Sequence, residues 1–171
     1  MPSAGWASTT SVEAAAPALE IRVAAGDEDR TRHFAIRRAV FCAEQGLFGG
    51  ADDRDAVDDD PATLHVVGVE NGRIGGTVRL YPLAGPGPSL WQGDRLAVLP
   101  EARHTRLGAA LVRFAVRTGG ERGGERMVAM IQLPNVRFFE ALGWRGDGAV
   151  TEFHGIDHQP MTIALGAGAG G

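Results

Sequence analysis

The stretch LAVLPEARHTRLGAAL, Leu96 to Leu111, constrains this chain more than any other. A strand-like run ends near Val98 and turn-forming residues fill Pro100 to Thr105. From there Leu107, Ala110, Leu111, Phe114 and Ala115 fall at i, i+3, i+4, i+7 and i+8, which predicts a helix beginning near Arg106. A helix start carries about four backbone N–H groups without partners and the positive end of the helix dipole, so a strand–turn–helix unit aims them at one point where an anion can sit. Arg103 and Arg106 add charge beside it. No Gly-Lys-Ser/Thr follows, as a Walker loop needs, and no G-x-G-x-x-G opens the helix, as a dinucleotide site needs. The segment by itself fits a phosphate cradle and an ordinary capped helix equally well.

The flanking pattern sets the class. LEIRVA (Leu19–Ala24) reads as a strand, and Asp27, Glu28 and Asp29 suit the start of a helix running to about Gln45. Its apolar face is read as Ile36, Ala39, Val40, Ala43 and Leu47, with Gly46, Gly49 and Gly50 ending it. TLHVVGVE and RIGGTVRLY are joined by Asn71-Gly72, the strongest short-range hairpin signal. LWQGDRLAVL is the next strand, Gly119 and Gly120 are expected to stop the second helix, and RMVAMIQL is a strand. PNVRFFEALGW reads as a short helix capped by Asn135, and AVTEFHGIDHQPMTIAL as two strands around a turn. The order β, α, β-β-β, α, β, α, β-β predicts an α/β domain with a mixed, mostly antiparallel sheet and flanking helices. One domain is expected over 19–165, with a disordered segment at 1–18 and a flexible Gly/Ala tail at 166–171.

Composition narrows the partners. With 17 Lys and Arg against 21 Asp and Glu, the chain lacks the basic excess of a general nucleic-acid binder. A single cysteine, Cys42, rules out an internal disulfide framework and fits a cytoplasmic setting. No apolar run approaches the ~18 residues of a membrane span, and the small, polar start is not read as a secretory signal. The five histidines are scattered, none at zinc spacing with cysteine, so no metal is expected. The acidic run ADDRDAVDDDP (Asp52, Asp53, Asp55, Asp58, Asp59, Asp60) has two readings: a solvated loop, or a rim that attracts a cationic amine.

Four motifs in order carry a likeness over nearly the whole of 19–165. LAVLPEARHTRLGAAL, NVRFFEALGW, HGIDHQPM and RRAVFCAEQGLF resemble the GNAT superfamily of N-acetyltransferases, with Arg106 where that family's first motif glycine is expected. FCAEQGLF, GDRLAV and NVRFFEALGW together resemble a bacterial subgroup associated with nitrogen starvation, and VFCAEQG distantly resembles acyl-homoserine-lactone synthases. The resemblance implies a sheet splayed at its middle, acetyl-CoA as co-substrate, and transfer of its acetyl group to the amine of a small-molecule acceptor in a ternary complex. It implies that backbone amides of Arg103, His104, Thr105, Arg106, Leu107, Gly108 and Ala109 hold the pyrophosphate. Leu96, Ala97 and Val98 would bond the pantetheine and the thioester carbonyl, and Asn135 and Phe139 would flank the arm. The alternatives are a non-catalytic acyl-CoA sensor, which Arg106 and Phe139 suggest, and an enzyme using a longer acyl donor. A homodimer is common in the family and is left open by this sequence.

The chemistry needs a neutral amine, and removing a proton from a lysine-like ammonium at pH 7 costs about 4–5 kcal/mol. The candidate bases are His158 in the last turn, Asp94 in the central strand and Glu44 at the end of the first helix, with His65 a weaker candidate that reads equally as a satisfied sheet residue. Phe139 stands where many relatives place a tyrosine acid, and Tyr81, the only tyrosine, lies on another strand. Cys42 reads as a small core residue rather than an acyl carrier. The acceptor pocket is expected from loops 46–62, 82–90 and 154–160.

Overall fold

The computed structural model describes residues 18–166; nearly all of the N-terminal segment and most of the Gly/Ala tail lie outside that range. The elements are β1 (Leu19–Val23), α1 (Gly26–Arg37), β2 (Leu64–Glu70), β3 (Arg73–Leu83), β4 (Leu90–Val98), α2 (Leu107–Glu121), β5 (Arg126–Gln132), α3 (Val136–Ala141), and β6 (Arg145–Gly146), β7 (Thr151–Phe153) and β8 (Ile156–Ala164). They follow the expected order, with the two-residue β6 added. The sheet runs β1-β2-β3-β4-β5-β8-β6, with β7 paired to β8. Asn71 and Gly72 both take positive φ (51° and 78°), the paired left-handed geometry of a tight hairpin.

Every pairing is antiparallel except β4–β5, which is parallel and short. Only Leu90, Trp91 and Gln92 pair with Arg126, Met127 and Val128. From Gly93 onward the two strands diverge, so the sheet is open at its middle.

The helix α2 closes one face. Leu107, Leu111, Val66 and Leu80 there are wholly buried, with Met127 and Met161 nearly so. Each such side chain contributes about 1.5–3 kcal/mol by leaving water. The helix sits low because β2 and β3 are bare beneath it. A Cβ on Gly68 would lie 2.6 Å from Leu107 Cδ1, and one on Gly76 2.8 Å from Leu111 Cδ1. This seating fixes where the helix N-terminus points.

Two helix readings need correction. Gly119 and Gly120 do not end α2, which continues to Glu121; Gly123, at φ 86°, follows it. They serve close packing instead, since a Cβ on Gly120 would meet Gly166 O at 2.6 Å. The first helix does not stay α-helical to Gln45. It becomes a π-helix over Arg38–Glu44, where the Gln45 amide donates to Val40 O, five residues back, at 3.0 Å. The wider turn rotates the face, so His33, Ile36, Arg37 and Val40 are buried while Ala39 and Ala43 are exposed. Cys42 is buried and unpaired.

Candidate acyl-transfer site

Two clefts meet at the splay. A channel of about 470 Å³ starts at Thr105, Gly108 and Ala109, runs past Val98 and Phe138, and reaches Asn135. A cavity of about 360 Å³ passes between β4 and β5 from a polar mouth at Gln92, Asp94 and His158 to an apolar floor at Val112, Ala129 and Trp144. The two share Gln45, Leu96, Gln132, Asn135 and Phe139. Whatever lies along the channel therefore opens into the cavity.

At the channel's outer end, four of the seven expected amides are free. The amides of Arg103, Thr105 and Leu107 are used locally, donating to Pro100 O (3.4 Å), Ala102 O (3.2 Å) and Thr105 Oγ1 (3.2 Å). Among the described residues, the amides of His104, Arg106, Gly108 and Ala109 have no acceptor. They gather at the start of a 15-residue helix, where the dipole favours an anion. Arg106 takes φ −80° and ψ 3°, which any L-residue adopts, so the arginine in the glycine's place causes no backbone strain. Leu107 itself points into the core. This cradle, with the channel leading from it, fits a diphosphate-bearing thioester such as an acyl-CoA.

The channel's rim is bridged from the π-helix. Arg103 donates to Glu44 through Nη1 (2.6 Å) and Nη2 (2.5 Å), and through Nε to Val98 O (3.0 Å). Gln132 Nε2 donates to Gln45 Oε1 at 3.0 Å. The hydrogen bonds from Arg103 hold the Glu44 carboxyl below its ordinary pKa, so it is a poor proton acceptor. Glu44 borders the channel and not the cavity.

The β4 edge is shaped by a bulge. Thr77 pairs with Ala97 and Arg79 with Asp94, so Val78 alone faces both Arg95 and Leu96. Arg95 sits there at φ 50°, a conformation costing a non-glycine residue about 1–2 kcal/mol. It is pinned by Thr77 Oγ1 donating to Arg95 O (3.1 Å) and by its own Nε donating to Asp53 Oδ2 (3.0 Å). Leu96 follows the bulge and borders both clefts. Ala97 is buried with Ile36 and Val40 and lines neither cleft.

The acidic run is solvated at Asp52, Asp55, Asp59 and Asp60 but not at its other two carboxylates. Asp53 and Asp58 are 1% and 2% exposed, as buried as the arginines that meet them. Arg37 donates to Asp53 Oδ2 and Asp58 Oδ1, both at 2.7 Å; Arg79 donates to Asp55 Oδ1 and to both oxygens of Asp94, all at 2.7 Å. Burial raises the Asp58 pKa, but hydrogen bonds from Arg37 and the Asp55 amide outweigh it and hold the carboxyl well below the usual range. Buried carboxylates survive only with such partners. The segment docks onto α1, β3 and β4 because Arg37, Arg79 and Arg95 are waiting there. Sequence periodicity could have found half of this: Arg79 and Tyr81 are two apart on one strand and so share a face.

His65 and His33 are part of the same interior. His33 Nδ1 meets Val66 O at 3.1 Å, and His65 Nε2 meets Asp58 O at 3.1 Å. His65 is buried on β2 and does not line the cavity.

His158 does line it. The residue lies in strand β8, opposite Thr151 and Gln132, not in a turn. Its Nδ1 is 2.8 Å from Ile156 O; a carbonyl only accepts, so Nδ1 carries the hydrogen and Nε2 keeps a lone pair. Nε2 has no partner among the described residues and retains solvent contact. Asp94 shares the mouth, but both its oxygens are committed to Arg79, with Tyr81 O–H at 3.4 Å. Tyr81 reaches the cavity from β3. Burial, and then the Asp94 charge, push its pKa up to about 12, so it stays a hydrogen-bond donor. Phe139 is buried and stacks edge-on against Trp144 at 5.4 Å. Asn135 precedes α3 without a side-chain capping bond, leaving its amide toward both clefts. Of the loops expected to form the pocket, 46–62 supplies Leu47, Phe48 and Asp55, 154–160 supplies His158, and 82–90 supplies none of its lining.

An acyl-transfer architecture of this kind has a family. Residues 31–144 match the model of the acetyltransferase (GNAT) family, two-thirds of the chain, and the protein belongs to it. No curated protein matches the sequence. Among solved structures, it is similar to a Lactobacillus plantarum protein described as an N-acetyltransferase (25% identity, 86% of this chain and 99% of that one, TM-score 0.75). It shares its fold with FeeM, an N-acyl amino acid synthase from uncultured soil microbes (14% identity, 87% and 91%, TM-score 0.73). It shares it also with BjaI, a CoA-dependent acyl-homoserine lactone synthase solved with isopentyl-CoA (20% identity, 88% and 84%, TM-score 0.69). No helix among the described residues is long and apolar enough to cross a membrane.

Proposed function

We propose that this protein transfers an acetyl group from acetyl-CoA to the amine of a small molecule, by direct attack with both substrates bound. The observation that carries this is the junction of the two clefts. A thioester seated on the His104, Arg106, Gly108 and Ala109 amides enters the cavity at Leu96, beside His158.

In this reading His158 Nε2 takes the proton from the incoming ammonium. The freed nitrogen lone pair forms the C–N bond to the thioester carbonyl, the C–S bond breaks with its electron pair leaving on the thiolate, and the second nitrogen proton passes to that thiolate through solvent to give the free thiol. A backbone amide at the bulge, beside Leu96, would stabilise the charge that gathers on the carbonyl oxygen. Asn135 and Phe139 border the pantetheine path. The thiolate, with a conjugate acid near the ordinary ~8.5 of a thiol, leaves without a strong acid, so Phe139 in place of a tyrosine is tolerated. Tyr81 O–H is the nearest replacement donor. His158 suits the base role better than Asp94 or Glu44, whose oxygens are held by arginines. A homodimer, common in the family, is compatible with this reading. The setting is cytoplasmic, with no nucleic-acid or membrane partner.

One observation favours a second donor. The cavity continues past the splay to Val112, Ala115, Met127, Ala129 and Trp144, more apolar room than an acetyl group fills. A short or branched acyl-CoA would use it. Calorimetry with acetyl-, butyryl- and isovaleryl-CoA tests the donor, and thiol release with an amine panel separates an enzyme from a sensor. Binding of no acyl-CoA at millimolar concentration would end this reading.

A further inference from the structure

The acidic loop suggests a mouth that draws polycations, but the carboxylates that reach the cavity lining are spent. The cavity's charged lining residues are Asp55, Asp94, Arg79 and Arg95, two of each sign, joined in ion pairs of 2.7 to 3.9 Å. What the mouth offers instead is aromatic. Among the described residues, four other than glycine have positive φ. Asn71 and His154 are the first residues of two-residue hairpin turns, and His154 forms a single stack with the other two, Phe48 and Arg95. The Arg95 guanidinium carbon lies 4.9 Å from the Phe48 ring, and Phe48 lies 4.5 Å from His154. His154 then meets Phe153 edge-on at 4.3 Å, and Phe153 meets His158 at 5.8 Å. Phe48 and Phe153 both line the cavity, and Phe153 is 50% exposed, so core packing does not account for it. A positive-φ Phe48 on one loop and the hairpin turn at His154 on another thus hold one aromatic row that ends at the candidate base.

We infer that this row is the wall against which the acceptor lies, and that the acceptor is a primary amine on a flat apolar body, of the arylalkylamine kind. The inference rests on the transfer reading above and deepens it. A flat ring gains contact and edge-to-face attraction along Phe48 and Phe153. A short alkyl tether then carries its nitrogen to His158 Nε2. A polyamine or aminoglycoside would need free carboxylates, and those at the mouth already hold guanidinium groups.

The test is initial-rate kinetics with acetyl-CoA, comparing 2-phenylethylamine and tryptamine with spermidine and kanamycin, in the wild type and Phe153→Ala. The arylalkylamines should give the higher kcat/KM by at least tenfold. Phe153→Ala should raise KM for 2-phenylethylamine about tenfold, with little change in kcat and none in the calorimetric Kd for coenzyme A. A preference for spermidine or kanamycin, or an unchanged KM in the variant, overturns the inference. Saturation-transfer NMR with 2-phenylethylamine alone separates the two readings. If acyl-CoA fails to bind but this contact is seen and is lost in Phe153→Ala, the transfer reading falls and the wall stands; if the contact is absent, the wall falls.

Discussion

The two faces of the sheet are closed by different physics. Under α2 the buried side chains are hydrocarbons: Leu107, Leu111, Val66 and Leu80. Under α1 and the acidic segment a small apolar cluster of Ile36, Val40 and Ala97 is joined by buried ions: Arg37, Asp53, Asp58 and Arg79, all 2% exposed or less. Hydrocarbon packing is strong and forgiving of small slides. An ion pair out of water gains little net stability but punishes misplacement, because a stranded charge is costly. The apolar face holds the fold and seats the cradle helix. The charged face fixes the position of the segment that borders the acceptor mouth.

The sharpest way to break this contrast is Arg37→Leu. It leaves a cavity and takes one of two arginine partners from each carboxylate, with only Arg95 left on Asp53 and Arg79 on Asp58, and should cost about 3–5 kcal/mol in urea unfolding. Adding Asp53→Leu and Asp58→Leu should recover much of that stability while raising the acceptor KM, because the anchor for the segment is gone. Leu107→Ala on the apolar face should cost about 3 kcal/mol and weaken coenzyme A binding by tilting the cradle. A larger loss for Leu107→Ala than for Arg37→Leu would reverse the assignment of the two faces.

The next effect is on rate. His158→Gln should lower kcat about 100-fold at pH 7 with the Kd for coenzyme A unchanged, whereas Glu44→Gln should lower it less than about threefold. Equal losses in the two variants would move the base to the channel.

Acid distinguishes the faces as well. Burial, and then the Arg37 charge, lower the His33 pKa from its ordinary 6.5 to about 3. The unfolded chain therefore takes up this proton first. The contribution is full above about pH 6.5 and is lost as pH falls toward 3. The depressed Asp58 carboxyl acts in the same direction at lower pH, its contribution present above the unfolded value near 3.9 and lost below it. Melting temperature should fall from pH 6.5 to pH 4. His33→Gln should flatten the upper part of that slope, the smallest effect predicted here.

The apolar face was legible in the sequence and the charged face was not. Periodicity located α2 because hydrocarbon burial repeats every turn. The hairpin was marked by Asn71-Gly72, and the order of elements needed nothing more. A buried ion pair has no period. Asp53 and Arg37 are sixteen residues apart, and nothing local separates Asp53 from the exposed Asp52. The π-helix escaped for a related reason: its register shift depends on which residues are buried beyond Arg37. In the candidate site, the sequence pointed to the helix start and to His158, but the number of free amides and the tautomer of His158 depend on turn geometry and on one carbonyl, Ile156 O. The aromatic row joins residues more than a hundred positions apart, so only the folded chain brings it together.

One consequence of the mooring between the acidic segment and the strands concerns how this enzyme class can be retuned. A change at Asp53, Asp55 or Asp58 must be matched on α1, β3 or β4 at once, so the foot of the cavity mouth is locked against single-step variation. The tips at Leu47–Phe48 and Phe153–His154 carry no such debt, and a laboratory selection for new acceptors would gain most by randomising those four positions first.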